Sequence, residues 1–315
     1  MTPLVSICVP AYNAGRWIRD ALESAFEQTY TSLEIVVSDN ASTDDTFEIL
    51  ESFTDERLRL SRATRTVSAV ANQNTVLRAS RGAYVKFLHA DDFLQPTCVE
   101  KMMDVAGADP TIGLVFAPRD VLAEDAPDPG WEEVHGRPHL GFSRLARVND
   151  GHDLFDQLLD SGFAANWVGE PSAVLLSRAA LETVGLMSER LRQIPDLELW
   201  ARIMLRYRVG FVDEVLSVYR HHDASQTVAN ARTGHDWFDL AWLVESLLAS
   251  PDLTPGERAK LLSLRRDALR QVGRSQVGRI LRGDPTAELA KYLLFRAKKA
   301  AGRPALLAPP LAGRP

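Results

Sequence analysis

Residues 84–92 read YVKFLHADD, an apolar β-type run that ends abruptly in an imidazole and two carboxylates. A buried parallel strand is not stabilised by charged side chains at its carboxyl end. Open α/β sheets, however, bind their ligands along the edge formed by the carboxyl ends of their strands. Adjacent carboxylates suit a divalent cation that also holds phosphate groups. A second interpretation stays open, because Asp91 and Asp92 could instead cap a helix that starts near Pro96.

The residues before this stretch repeat the pattern of a strand, a polar turn and a helix. Apolar β-type runs alternate with segments whose apolar residues recur at helical spacing. The strands are predicted at 5–9, 33–37 and 57–60, and the helices at 18–26, 47–53 and 69–79. This alternation predicts an α/β fold with a doubly wound, mostly parallel sheet. Such a sheet gathers its polar strand ends along one edge, so we expect Asn13, Asp39 and Asp91 to face a common crevice.

Six short segments, taken in order, resemble family 2 glycosyltransferases of the GT-A fold. The first three resemble the half of that fold that binds the nucleotide sugar, and the whole likeness covers roughly residues 4–226. The segments are 9–13 (VPAYN), 38–44 (SDNASTD), 88–92 (LHADD), 166–172 (NWVGEPS), 196–200 (DLELW) and 219–222 (YRHH). The sequence shows no Gly-rich phosphate loop, which argues against an NTPase or a dehydrogenase.

The resemblance implies an inverting enzyme of bacterial type that moves a sugar from a nucleotide-diphosphate sugar to a hydroxyl of a glycan or lipid-linked acceptor. The expected role is in the biosynthesis of cell-envelope polysaccharide. A protein of the same fold that binds nucleotide sugars without catalysis stays open as the alternative. A sugar nucleotidyltransferase is disfavoured, because the Gly-rich, basic amino-terminal signature of those enzymes is missing.

The resemblance also implies which residues bind the nucleotide. Asp39 would bind the base, since a carboxylate accepts a ring N–H. Its alternative role is to cap the next helix, for which Ser42, Thr43 and Asp44 are better placed. Asn40 stands where the family usually has a second Asp. The further nucleotide-binding residues implied are Pro10, Tyr12, Asn13, Asn74, His89, Ala90 and Asp91.

The metal site departs from the family pattern at one position. His89 replaces the first Asp of the Asp-X-Asp motif, and its imidazole could either contact ribose or ligate manganese. The resemblance makes Asp91 the carboxylate that binds Mn²⁺ or Mg²⁺ between the two phosphates. His222 is expected as a second ligand of the metal. The alternative is that its segment is a solvated loop with no part in the site.

The candidate base is Asp196, in the first turn of a predicted helix that begins near residue 193. In the family, the Asp at this position deprotonates the acceptor, and Pro195 stands here where the family has a Glu. A first-turn Asp also complements the helix dipole, which is its alternative role. Glu170 is the second candidate for the base.

Composition limits the location and the partners of the protein. The chain has 315 residues, 45% of them hydrophobic, and a net charge of −6, which argues against nucleic-acid binding. Two cysteines, Cys8 and Cys98, match no metal spacing and are expected as buried thiols in a reducing compartment. No leader and no long apolar stretch are visible, so we expect a cytoplasmic protein, with the inner face of the cell membrane as a further option.

The chain is predicted to divide into a GT-A domain over 1–226 (1–117 for the nucleotide sugar, 118–226 for the acceptor and catalysis), a helical region over 227–303 and a disordered tail over 304–315. Residues 118–148 are expected to form a long loop. Residues 255–315 carry 14 Lys and Arg against 4 Asp and Glu. These basic helices are expected either to contact anionic lipid headgroups, or to pack on the catalytic domain or on a second subunit in a homodimer.

Overall fold

The computed structural model describes residues 2–124, 137–222 and 236–281, with side chains from residue 238 to 271 in the last range. The large sheet contains β1 (Val5–Ala11), β2 (Leu33–Asp39), β3 (Leu58–Arg62), β4 (Tyr84–Phe87), β6 (Ile112–Phe116), β8 (Val148–Asn149), β9 (Val174–Ser177) and β10 (Arg208–Phe211). The small sheet contains β5 (Phe93–Leu94), β7 (Arg119–Ala123) and β11 (Ser217–His221). The helices are α1 (Ile18–Phe26), α2 (Thr46–Glu51), α3 (Ala69–Ala79), α4 (Cys98–Ala106), α5 (Gly151–Asp160), α6 (Arg178–Val184), α7 (Pro195–Met204), α8 (Asp236–Leu248) and α9 (Pro255–Leu281).

The strand order in the large sheet is β3-β2-β1-β4-β9-β6-β10-β8. Strands β3, β2, β1 and β4 run parallel to one another, as the alternating pattern predicts. Strand β9 is antiparallel to both β4 and β6, whereas β10 runs parallel to β6. In the small sheet, β11 lies between β5 and β7. The stretch 88–92 connects β4 of the large sheet to β5 of the small one, so it lies where the two sheets meet.

Apolar side chains fill both faces of the large sheet. One cluster includes the inner faces of α1 and α4, and the other includes those of α3, α5, α6 and α7. Both cysteines are buried and unpaired, as expected. Helices α8 and α9 contribute Val244, Leu247 and Leu261 to the second cluster, so the described part of the predicted helical region packs on the rest of the protein, mainly on α5 and α7.

Several predicted elements differ from the structure in their bounds. The first strand continues through Pro10 to Ala11, and the proline is tolerated because pairing with β4 has already ended at Cys8. The segment after Pro118 is not a long loop throughout, since β7 pairs with β11 there. Helix α4 begins at Cys98, after β5, so Asp91 and Asp92 do not cap it.

Some sequence-based expectations cannot be compared with the structure. Residues 125–136, 223–235 and 282–315 lie outside the described residues, and with them the expected disordered tail and the distal part of the helical region. Among the helices that the structure describes, none combines the length and the hydrophobicity that crossing a bilayer requires.

Candidate active site

The turn after β4 is fixed by backbone hydrogen bonds on both sides. Leu88 N–H donates to the Cys8 carbonyl at 3.0 Å, which extends the β1–β4 pairing by one residue. The chain then turns, and Asp92 N–H donates to the His89 carbonyl at 3.1 Å. His89 N–H donates to Ser172 Oγ at 3.0 Å, so the turn is also tied to the segment that precedes β9.

Asp92 anchors this turn from inside the protein. Its side chain is buried, and both carboxylate oxygens accept hydrogen bonds, from Ser172 Oγ at 2.6 Å and from Arg220 N–H at 2.9 Å. Burial, together with the negative charges of Asp91 and Glu170, raises the pKa of Asp92 well above its usual value. Asp92 therefore connects β4, β11 and the Ser172 segment, and its hydrogen-bonding capacity is largely used in doing so.

Asp91 lies beside it and, unlike Asp92, is partly exposed. His222 Nε2 lies 3.1 Å from Asp91 Oδ2, and Arg220 Nε donates to the Asp91 carbonyl at 2.9 Å. Burial alone would raise the pKa of Asp91, but the hydrogen bond to His222 and the charges of His89 and His222 outweigh it and lower the pKa. The His222 ring stacks on Trp17 with ring centres 4.0 Å apart, which fixes the imidazole against Asp91.

The geometry of the turn fits a divalent cation. One potential ligand atom each from His89, Asp91 and Asp92 lies within 4.8 Å of the other two. Two carboxylate oxygens and an imidazole nitrogen form a donor set that manganese accepts more readily than magnesium does. His222 contacts Asp91 but is not part of that group, so its role as a second ligand stays a prediction.

His89 has a neighbour that the sequence analysis did not include. Gln73 Nε2, on α3, lies 3.2 Å from His89 Nε2. Burial lowers the pKa of His89, which favours the neutral ring. Gln73 Oε1 is buried and has no partner among the described residues. Nothing in the local pattern indicates this contact, because it joins a helix to a strand end.

Asp39 lies at the carboxyl end of β2, where the sequence predicts a nucleotide contact. It is fully buried, accepts from Ser42 N–H at 3.2 Å and forms an ion pair with Arg62 Nε at 3.1 Å. It does not cap α2, since Asp44 accepts from both the backbone N–H and the hydroxyl of Thr46. The arrangement presents a carboxylate and a guanidinium side by side.

Two predicted nucleotide ligands use their amides to hold the polypeptide chain. Asn13 has a positive φ of 47°, and its Oδ1 accepts from Thr43 N–H at 2.9 Å. Asn40 pairs twice with the backbone of Val67, donating to its carbonyl at 2.9 Å and accepting from its N–H at 2.8 Å. Their side chains thus shape the crevice around Asp39, and direct contact with a nucleotide stays a prediction.

The remaining predicted nucleotide contacts lie along the same edge of the sheet. Pro10 is in β1, Tyr12 follows it with 49% of its surface exposed, and Ala90 is buried in the turn after β4. Tyr12 is therefore the most accessible of the three.

The segment that precedes α7 is held from two directions. Asn74, buried on α3, donates to the Met187 carbonyl at 3.0 Å and to Glu189 Oε1 at 3.2 Å. Asp239, buried on α8, accepts from the backbone N–H groups of residues 192–194 at distances of 2.5 to 3.4 Å. Asn74 therefore connects the nucleotide half to this segment, rather than lying free in the crevice.

Asp196 lies in the first turn of α7, where the sequence places it. Burial raises its pKa to about 6, and the charge of Glu170 acts in the same direction, against hydrogen bonds from the backbone and from Asn166. Asn166 Nδ2 donates to Asp196 Oδ2 at 2.9 Å, and the same amide group donates to the Gly169 carbonyl at 2.8 Å. The carboxyl group is thus oriented by a side chain that is itself fixed.

Glu170, the second candidate base, is already paired. Arg119 Nε donates to its carboxylate at 2.6 Å, and the guanidinium lies 5.2 Å from the centre of the Tyr219 ring. The Glu170 carboxylate is therefore held by a guanidinium, and which of the two acids acts as the base stays a prediction.

The structure therefore brings His89, Asp91 and His222 together and places Asp39 on the same edge of the sheet. It also adds four residues to which the sequence alone assigns no role in the site. These are Gln73, Asn166, Arg220 and Asp239. Each contacts a segment distant in sequence, which a single sequence does not reveal.

Comparisons with known proteins show which family and which proteins this chain resembles. The model of the family "Glycosyl transferase family 2" matches residues 6–157. The chain is 35% identical over 246 residues to a Mycobacterium tuberculosis protein described as uncharacterized protein MT1568, covering 77% of this chain and 76% of that protein. It is 30% identical over 252 residues to glycosyltransferase GlyG of Streptococcus pneumoniae, covering 77% and 76%.

A solved structure shares the fold. TarS of S. aureus in complex with UDP-GlcNAc superposes with a TM-score of 0.65 at 16% sequence identity, over 84% of this chain and 72% of that one. At this identity the likeness supports the GT-A architecture of the large and small sheets.

Proposed function

Because the chain belongs to glycosyl transferase family 2, we propose that it transfers a sugar from a nucleotide-diphosphate sugar to a hydroxyl of a glycan or lipid-linked acceptor. The observation that carries the proposal is Asp196, a half-buried carboxyl group with a pKa raised to about 6 and oriented by Asn166. Such a group is ionised at neutral pH and yet basic enough to accept a proton from a hydroxyl.

The donor is assigned to the carboxyl edge of β1, β2 and β4. The Asp39 carboxylate would accept a ring N–H of the base, while Arg62 beside it can donate to a ring carbonyl. UDP-GlcNAc bound to TarS, a protein of the same fold, supports a nucleotide-sugar donor.

The diphosphate is assigned to the turn that carries Asp91. His89, Asp91 and Asp92 fit Mn²⁺ or Mg²⁺, with His222 as the additional predicted ligand. The chemistry that a bound cation supplies there is neutralisation of the negative charge on the leaving diphosphate. Asp92 keeps the turn in place through Ser172 and β11, so Asp91 stays directed at the crevice.

The reaction we propose is a single displacement with inversion at the anomeric carbon. Asp196 takes the proton of the acceptor hydroxyl as its oxygen forms the new bond to the anomeric carbon. The bond from that carbon to the diphosphate oxygen breaks, and the diphosphate leaves with the electron pair. Glu170 is the alternative base, and its pairing with Arg119 makes it the weaker candidate.

The test is Asp196→Asn, which is nearly isosteric and cannot take a proton. We expect donor affinity to be preserved and transfer to fall by roughly a hundred to ten thousandfold. Asp153→Asn is a matched control, since Asp153 is also a first-turn acid but is exposed on α5.

Three other outcomes would be informative. Near-normal transfer by Asp196→Asn would move the base to Glu170. A parallel loss of donor binding and transfer would indicate a structural role for Asp196. A wild-type protein that binds nucleotide sugars but transfers none across a broad acceptor panel would favour the non-catalytic alternative.

A further inference from the structure

A cavity of about 940 Å³ opens between the small sheet and the segment that precedes β9. Its described walls include Arg119, His139, Ala165 and Trp167. This volume is typical of sites for small organic ligands. None of the residues assigned above to the nucleotide lies on these walls, so the cavity is separate from the donor crevice.

The position of the cavity relates it to the base. Ala165 and Trp167 line it, and the residue between them, Asn166, orients Asp196. Arg119, also on the wall, holds Glu170. The cavity walls are therefore connected to both candidate bases, through Asn166 to Asp196 and through Arg119 to Glu170.

The Trp167 indole forms an aromatic wall of the cavity, and its packing holds it in place. A Cβ atom added at Gly141 would lie 2.3 Å from the Trp167 ring, so the indole packs directly on the glycine backbone. The Phe142 ring meets Trp167 edge-on, with ring centres 5.4 Å apart. A rigid indole presents an apolar surface on which the C–H face of a pyranose ring can pack.

His139 supplies a polar group that lacks a partner. Its Nδ1 is buried and has no hydrogen-bond partner among the described residues, and its ring stacks on Phe211 at 5.9 Å. Burial lowers the pKa of His139, so the neutral ring can both donate and accept. His139 is one of the residues that line the cavity, and a neutral imidazole can form a hydrogen bond with a ligand hydroxyl.

The described walls of the cavity carry a small excess of negative charge. Arg119 is paired with Glu170, and Glu214 is paired with Lys101. The other charged side chains among the described wall residues are Arg137, Asp120 and Asp213. One cation against two carboxylates does not favour an anionic ligand such as a phosphate or a uronic acid, whereas mixed charges suit hydroxyl groups.

We propose that this cavity binds a neutral sugar unit of the acceptor, with its ring packed on Trp167 and a hydroxyl bonded to His139. The proposal rests on the proposed function and adds the chemical class of the acceptor. The acceptor presented to Asp196 is accordingly a neutral saccharide.

The test uses the full chain and simple sugars as probes. Saturation-transfer NMR would measure binding of the methyl glycosides of glucose, galactose, mannose and N-acetylglucosamine, with methyl glucuronide as the anionic counterpart. At least one neutral glycoside should bind the wild type. Trp167→Ala and His139→Ala should each weaken that binding by roughly tenfold or more, since each removes a main contact.

Two controls separate a lost contact from a lost fold. Trp167→Phe keeps an aromatic surface and should retain part of the binding. Leu262→Ala, at an exposed position on α9, should change nothing. Donor affinity should be unchanged in all variants, because none of the described wall residues is assigned to the nucleotide.

The proposal is wrong if no neutral glycoside binds, if methyl glucuronide binds instead, or if the Trp167 and His139 variants bind as the wild type does. These outcomes differ from a failure of the proposed function, in which the wild-type protein would neither transfer nor hydrolyse any nucleotide sugar.

Discussion

At the scale of single residues, the site depends on carboxyl groups whose environments move their pKa values in opposite directions. The pKa of Asp91 is lowered, because contacts with His222 and His89 outweigh the effect of burial, and that of Asp196 is raised to about 6 by burial. The charged form of Asp91 is thus favoured, which suits its proposed role as a cation ligand, and Asp196 can exchange a proton near neutral pH.

The pKa of Asp196 determines how transfer should depend on pH. Only the deprotonated carboxylate acts as a base, so kcat/KM should fall as the pH drops below about 6. Asn166 stabilises the charged form by donating to it. Asn166→Ala should therefore raise the pKa and move the acid limb of the profile to higher pH, by roughly half a unit to one unit.

The measurement is the pH profile of kcat/KM for the wild type and for Asn166→Ala. Ser143→Ala, a change at an exposed position outside the site, is the control and should leave the limb in place. An acid limb that stays at the same pH in Asn166→Ala would contradict the role of Asn166, and a limb near pH 4 in the wild type would contradict the raised pKa.

At the scale of elements, α8 holds the segment that carries Asp196. Asp239 accepts from the backbone N–H groups of residues 192–194, immediately before α7 begins at Pro195. Asn74 holds the same segment from α3. The segment is therefore held by both α3 and α8, and both help to determine where the proposed base, Asp196, is placed.

Asp239→Ala should lower kcat while leaving donor affinity unchanged. Loss of the acceptor for these N–H groups would let the segment shift, and a displacement of about 1 Å at a catalytic group can cost up to roughly a hundredfold in rate. Steady-state kinetics and donor titration on one variant would measure both values. Asp252→Ala, which removes an exposed partner of Arg206, is the control. Equal losses of kcat and donor affinity would instead point to general destabilisation.

The sequence predicts some of these elements better than others, for physical reasons. Helix α3 forms over the predicted residues, because the Ser68 side chain caps it by accepting from Ala71 N–H and its apolar residues recur at helical spacing. The direction of β9 was not predictable, since its apolar residues indicate burial but not orientation. Asp91 and Asp196 can be proposed from local motifs, whereas the contacts of Arg220 and Asp239 join distant segments and leave no local pattern.

At the scale of the whole molecule, the carboxyl-terminal helices differ in what they do for the fold. Val244, Leu247 and Leu261 belong to the second of the two apolar clusters, so α8 and the first turns of α9 stabilise the fold around the large sheet. The stretch 282–315 carries seven Lys and Arg against two Asp and Glu. Its basic character is the ground for expecting contact with anionic lipid headgroups.

Truncation after Leu281 should separate these two roles. The shortened chain should keep the thermal stability and the donor affinity of the full chain, because the core residues of α8 and α9 remain. Its binding to vesicles that contain anionic lipid should fall, because the removed stretch is basic. Binding by the full chain should weaken as salt rises, since exposed charges are screened beyond about 10 Å at 0.1 M salt.

Sedimentation of the two chains with anionic and with neutral vesicles, at low and at moderate salt, would measure this difference. A full chain that does not bind anionic vesicles at low salt would rule out the membrane contact and leave packing on the catalytic domain or on a second subunit. Equal binding by both chains would mean that residues outside 282–315 make the contact with the vesicles. A truncated chain that unfolds at a lower temperature would show that residues beyond Leu281 also stabilise the fold, because the described core residues are all retained in it.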